Sequence, residues 1–386
     1  MSHVALDAGF VPLLDAAPLA IARELGFAAE EGLELRLHRE PSWSALRDRL
    51  LWGGLQAAHM LSPMPVALTA GIGGLRVAVD ALMVLSVNGD MIGVRPGIAG
   101  RMGAAALDFG DAFAVGRALI AAADGPLRVG APFPVSMHAE LLHYWLRSLG
   151  GDPPAAFEIR TVPPPRMAEA MAQGEIDAFC VGEPWGSFAA EMGMTQLVLP
   201  GAAIWRFAPE KVLAARHDWT QANPEIAAAL MRAVWRACRW IAETENVGTV
   251  AEIMGRPDYL DMASEIIERP LRCRMVVNAR GDERSASQAI EFYRGAATFP
   301  WRSQALWIAE SMARRMGHRE ALREAARACF RPDLYRATLG PAGADLPGAS
   351  EKLEGALPHR SEVASTLGTL LLGPDSFHDG QVFDPQ

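Results

Sequence analysis

The stretch 177-DAFCVGEPWG-186 holds a short apolar run, Ala178 to Val181, that reads as a buried strand. It ends in Gly182-Glu183-Pro184-Trp185: a carboxylate held extended before a proline, then a large aromatic. Three readings of that ending compete: a catalytic acid, a ligand pocket, and an ordinary strand-to-helix turn. Open α/β sheets bind ligands beyond the carboxyl ends of their strands. The surroundings of this run therefore bear on fold and function together.

Upstream, "RMAEAMAQG" predicts a helix and "FEIRTV" a strand. Leu127 to Pro132 is another strand, after which Ser136 caps a helix through "HAELLHYWLRSL" that Gly150-Gly151 stops. The same alternation runs from the start. Strand Val4–Ala8 precedes a helix from Leu19 to Leu25, and Leu33 to His38 alternates as a strand. Ser42 caps a helix from Trp43 to Trp52, and "LQAAHML" and "LRVAVDALMVLSV" supply strands before an Asn88-Gly89 turn. Alternating β and α implies a mostly parallel sheet.

The pattern restarts. A shift of 121 residues lays Leu46, Leu50, Gly53, Ala57 and Pro63 on Met167, Met171, Gly174, Ala178 and Pro184, so both copies read helix, glycine, strand, X-Pro-large-apolar. Any two βα units share some of this, yet two similar lobes predict a ligand cleft between them. From Asn223-Pro224-Glu225, a good helix start, the chain becomes helical. The expected division is 1–95 for the first part of lobe 1, 96–215 for lobe 2, and 216–386 for a helical part completing lobe 1.

The 386 residues are 50% hydrophobic and 21% charged, an ordinary globular balance. A formal charge of −9 argues against direct nucleic-acid binding. Four scattered cysteines form no CxxC pair, and no run is long and apolar enough for a membrane span. The chain starts almost on its first strand, without a basic region and apolar core of a leader, so a cytoplasmic location is expected.

No P-loop, GxGxxG, GxSxG or HExxH pattern occurs. An enzyme on such a fold, for example a pyrimidine-precursor synthase, needs a nucleophile or cofactor-binding lysine beside a base, and the motifs offer no such pair. No catalysis, metal or cofactor is expected. His138 falls in a helix first turn, where the dipole favours a neutral ring; the alternative is a histidine bonded to a nearby carbonyl. Lys211 in "PEKVL" and Trp43 in "SW" read alone as a surface lysine and a packed indole.

Together, "GFVPLLDAAPLAIARELGF", "REPSWSALRDRLLWGGLQAAHMLSPMP", "MHAELLHYWLRSLGGDP", "VPPPRMAEAMAQGEIDAFCVGEPW" and "FHDGQVFDP" (377–385) resemble the nitrate/bicarbonate-binding proteins of ABC transporters. That resemblance implies an α/β, two-lobed type II periplasmic-binding-protein-like fold with a helical C-terminal extension. It implies an anion pocket formed by Trp43, an amide at Asn88, His138, Gly182 and Lys211, with Glu183 behind them orienting Lys211 or its loop. These types suit nitrate, which accepts hydrogen bonds and donates none. The start on the first strand makes the chain similar to the NasS-type cytoplasmic nitrate/nitrite sensors. The partner implied there is an RNA-binding antiterminator of nitrate assimilation, held by the ligand-free sensor and released by ligand. The alternative is an exported transport receptor for nitrate or bicarbonate whose leader is missing here.

Overall fold

The computed structural model describes residues 3–150 and 157–386; Gly151, one half of the expected helix stop, lies outside them. In chain order the strands are β1 (Val4–Phe10), β2 (Leu33–Arg39), β3 (Ala57–Leu61), β4 (Val79–Asn88), β5 (Asp90–Val94), β6 (Leu127–Ala131), β7 (Phe157–Thr161), β8 (Ala178–Gly182), β9 (Gln196–Pro200), β10 (Pro209–Arg216), β11 (Arg274–Val276), β12 (Glu283–Ser285) and β13 (Ile290–Glu291). One six-stranded sheet runs β13-β4-β10-β3-β1-β2, and a five-stranded sheet runs β7-β6-β8-β5-β9. Helices on their faces make an α/β protein of two lobes.

Position in the sheet explains the patterns. At the edge, β2 buries Leu33 and Leu35 and exposes Glu34 and Arg36. The central strands β3, β4 and β8 are buried throughout and read as near-continuous apolar runs. β1 pairs in parallel with β2 and β3, and β6 in parallel with β7 and β8. Each sheet also takes one antiparallel strand donated across the molecule. β10 runs antiparallel between β3 and β4, and β5 antiparallel between β8 and β9. The two halves of the 121-residue repeat thus occupy matching places: β3 and β8 each lie between a parallel neighbour and the crossing strand.

Those crossings correct the expected boundaries. β5 falls within residues 1–95 yet belongs to the second sheet, and β10 falls almost wholly within 96–215 yet belongs to the first. The Asn88-Gly89 pair is not a hairpin turn but the passage between sheets. Its positive φ angles, 59° at Asn88 and 111° at Gly89, satisfy the local signal. The signal does not say which sheet receives the next strand.

The C-terminal part is largely helical. Helix Pro224–Ile241 packs on helix Ala17–Glu24 over one apolar core, which includes Leu230, Val234, Ile21 and Leu6. Helices Arg302–Met316 and Arg319–Cys329 cover Pro63–Ala70 on the other core. This part also supplies β13 to the first sheet, the small pair β11–β12, and a hairpin of Ser361–Ser365 with Gly368–Leu372. Among the described residues no helix is long and apolar enough to cross a membrane.

Candidate functional site

Strand ends from both sheets meet at one place. Lys211 and Glu210 open β10, Gly182 closes β8, and Asp90 opens β5 opposite Gly182. His138 sits in the first turn of helix Met137–Ser148, whose cap Ser136 accepts the Ala139 N–H at 3.2 Å. Trp43 begins helix Trp43–Leu51 behind its own cap, Ser42. Asp15 follows β1, and His59 lies within β3.

These groups are buried and interlocked. The Lys211 ammonium contacts Asp15 Oδ2 at 2.7 Å and donates to Glu210 Oε1 at 2.8 Å, and lies 5.5 Å from the Trp43 ring centre. Asp15 Oδ1 lies 2.8 Å from His59 Nε2, and the His59 ring packs 5.5 Å from Trp43. His138 stands between two carboxylates, Nε2 at 2.9 Å from Asp90 Oδ1 and Nδ1 at 3.2 Å from Glu210 Oε1. Both contacts have ion-pair separation but are poorly angled, so neither is a formed hydrogen bond. Both oxygens of Asp90, Glu210 Oε2, His59 Nδ1 and the Trp43 indole N–H are also buried without a partner.

The charges settle according to burial and neighbours. Burial pulls Asp15 upward, but Lys211 and His59 outweigh it and hold the carboxyl at about 2. Burial opposes charge on Lys211, yet Asp15 and Glu210 raise it, so the ammonium persists. Burial raises Asp90 to about 6 against the pull of Lys211. Burial and then the Asp90 carboxylate raise Glu210 to about 8. Lys211 and Asp15 therefore form an ion pair, Lys211 also donates to Glu210, and Asp90 and Glu210 titrate as a coupled pair whose first proton belongs to both. Burial lowers His138 to about 4, leaving a neutral ring.

Gly182 lies close against the cluster. A Cβ there would meet Leu13 Cδ2 at 2.7 Å and stand 3.7 Å from Asp15 Oδ2 and 3.8 Å from His138 Nε2. The next residue, Glu183, donates its N–H to Gly89 O. Successive amides point to opposite strand edges, so the Gly182 N–H faces the side where β6 pairing has already ended at Phe179.

Trp43, His138, Gly182 and Lys211 are thus brought together. Asn88 is not with them. Its amide donates to Arg206 O and Gln288 O, and its oxygen accepts from Ala208 N–H, so both of its donors and its oxygen are engaged with backbone. Asp90, two residues on, faces His138 instead. Glu183 touches neither Lys211 nor the ring; its Oε2 accepts the Ser187 N–H of helix Trp185–Glu191. Its carbonyl accepts from Leu14 N–H, and the Trp185 indole donates to Pro12 O, so this stretch clasps the two lobes. Asp15, His59, Asp90 and Glu210 escaped the sequence reading. Their one signal is a charged or polar group inside an apolar run, as in "LLDAAP" and "AAHML".

Asp90, His138 and Glu210 bring oxygen and nitrogen atoms within 4.8 Å of one another, as a metal centre does. The ring turns a different nitrogen to each carboxylate, so only one of the two nitrogens could join both carboxylates around a single ion.

Comparison with known proteins places this geometry in a family. The NMT1-like family matches residues 2–255, and the chain belongs to it. The chain is 33% identical over 319 residues to the nitrate import ATP-binding protein NrtC of Synechocystis, covering 81% of this chain but only 46% of that protein. It is 29% identical over 390 residues to the nitrate/nitrite binding protein NrtA of Nostoc, covering 98% of this chain and 82% of that one. The crystal structure of the periplasmic nitrate-binding protein NrtA from Synechocystis superposes with a TM-score of 0.85 at 25% identity, over 99% of this chain and 96% of that one. The alkanesulfonate-binding protein SsuA from Xanthomonas axonopodis, at 12% identity and TM-score 0.57, shares the fold.

Proposed function

We propose that this member of the NMT1-like family binds nitrate or nitrite between its lobes, among Trp43, His138, Gly182 and Lys211. The observation that carries this reading is their convergence. Four residues from four separate segments meet at one end of both sheets, around the only lysine of the site. A lysine ammonium supplies charge, a backbone N–H supplies a directed donor, an indole covers a flat face, and the neutral His138 ring stands beside them between Asp90 and Glu210. The names of the relatives, nitrate binding and nitrate import proteins, agree with that chemistry.

In this reading the protein is a cytoplasmic sensor: the anion favours one lobe arrangement, and that preference releases an antiterminator partner. Support comes from the module's occurrence within a nitrate import ATP-binding protein, where it forms part of a component other than a free-standing receptor. The second reading, a binding component of a nitrate or bicarbonate transporter, is supported by the match to nitrate/nitrite binding proteins along 98% of the chain. Cell fractionation separates the two, since an exported protein cannot hold a cytoplasmic regulator.

Calorimetric titration with nitrate, nitrite and bicarbonate tests the shared claim. Nitrate or nitrite binds, and Lys211→Ala and His138→Ala each weaken binding by about 1–3 kcal/mol. Wild-type affinity in both variants would sink the assignment.

A further inference from the structure

The positive charge of the site is already matched before any anion arrives. Lys211 is paired with Asp15, and Glu210, Asp90 and Glu183 add three more buried carboxyl groups. A donor-free oxyanion brings one more negative charge into this dry cluster, which is unfavourable without compensation.

The compensating element is visible in the geometry around His138. A neutral imidazole has one N–H and one lone pair. It lies edge-on between Asp90 and Glu210, with a different nitrogen toward each. It can donate to one carboxylate only. Asp90 and Glu210 also interact directly with each other, which is attractive only when one of them carries a proton. The trio therefore holds one proton beyond a neutral ring and two carboxylates, and carries a net charge of about −1. A second proton makes it neutral.

We propose that the site takes up a proton together with its monovalent oxyanion, and that Asp90 is the residue that accepts it and so sets how binding depends on pH. This rests on the nitrate/nitrite reading above. The groups facing the trio are Lys211 on β10, Asp15 beyond β1 with His59 of β3 behind it, and Glu183 and Cys180 at the end of β8. Only Lys211 among them favours ionised carboxylates, and Asp15 already occupies it. Burial raises both carboxyls, but Glu210 accepts from the Lys211 ammonium whereas neither oxygen of Asp90 has a donor, so Asp90 is the carboxyl whose charge is least supported when an anion arrives. An anion placed beside Asp90 raises its pKa further, drawing in the second proton.

The sign follows from linkage. Above about pH 6 the free site must bind a proton to accept the anion, so affinity falls as pH rises, by at most about tenfold per unit. Below that, Asp90 is already protonated and the dependence flattens. Asp90→Asn keeps the shape and removes the charge, so this variant binds nitrate more tightly than wild type at pH 8.

The experiment is nitrate titration of the full chain at pH 7 to 8 in two buffers of different ionisation enthalpy. At the pH 7 end, uptake approaching one proton per nitrate is expected, and clearly less in Asp90→Asn, where only Glu210 remains to titrate. Nitrate binding whose heat does not depend on buffer overturns the inference while leaving the nitrate reading intact. So does binding that strengthens on adding calcium or manganese chloride, because a cation then supplies the charge. No nitrate or nitrite binding at any pH, in either protein, defeats the underlying reading instead.

Discussion

A buried lysine and a partly buried one in this molecule share one kind of surrounding. Lys211 lies 5.5 Å from the Trp43 ring and contacts Asp15 and Glu210; Lys352 lies 5.8 Å from the Trp301 ring and contacts Glu354 and Asp375. They differ in what is left over. Around Lys352 the other carboxylate oxygens are used: Glu354 accepts from Ser303 at 2.6 Å and Asp375 from the Leu357 N–H at 2.8 Å. Around Lys211, Asp90, Glu210, His59, His138 and Trp43 all keep unpartnered polar atoms. In the C-terminal cluster, which fixes the tail, the carboxylates are satisfied and the Trp301 indole N–H is left over. The interlobe cluster has unspent hydrogen-bonding capacity, which is what a ligand site requires.

The comparison can be broken in three places. Lys352→Met strands two carboxylates, so folding stability drops by about 3–5 kcal/mol in denaturant titration, while nitrate affinity of the folded fraction stays within twofold. A large loss of affinity would erase the distinction between the clusters. Asp15→Asn removes a carboxylate held at about 2, and the linkage here favours the ionised form. Its stabilisation is present above the ordinary carboxylate range and lost as pH falls through about 2. The variant loses about 2 kcal/mol at neutral pH and shows a flatter acid limb in melting temperature between about pH 4 and 2. An unchanged acid limb would mean that Lys211 does not depend on Asp15. Ser136→Ala has the smallest effect, about 1 kcal/mol of stability from the lost cap. Nitrate binding weakens with it, because the cap holds the turn that presents His138; unchanged affinity would separate the helix end from the site.

Elements whose signal is local were legible in the sequence. Both serine caps, the alternation of β2 and the apolar run of β8 follow from neighbouring residues, and the structure shows each. The four converging positions came from resemblance, since nothing near Trp43 or Lys211 in the chain reveals that they meet. Asn88 shows where the reading failed. An amide beside a glycine signals backbone conformation, and the ring-facing group was Asp90 on the next strand. Asp15 and Glu210 were missed for a related reason: a buried carboxylate and an exposed one look alike until the partner lysine is placed.

Asn88 has a mechanical consequence. The chain passes between lobes at Asn88-Gly89 and again between β9 and β10, and the Asn88 side chain binds Arg206 O and Ala208 N–H of that second passage. Two separate straps would let the lobes shear, twist and bend independently. Joined by one amide, the two crossings are held side by side, so a displacement of one is passed to the other.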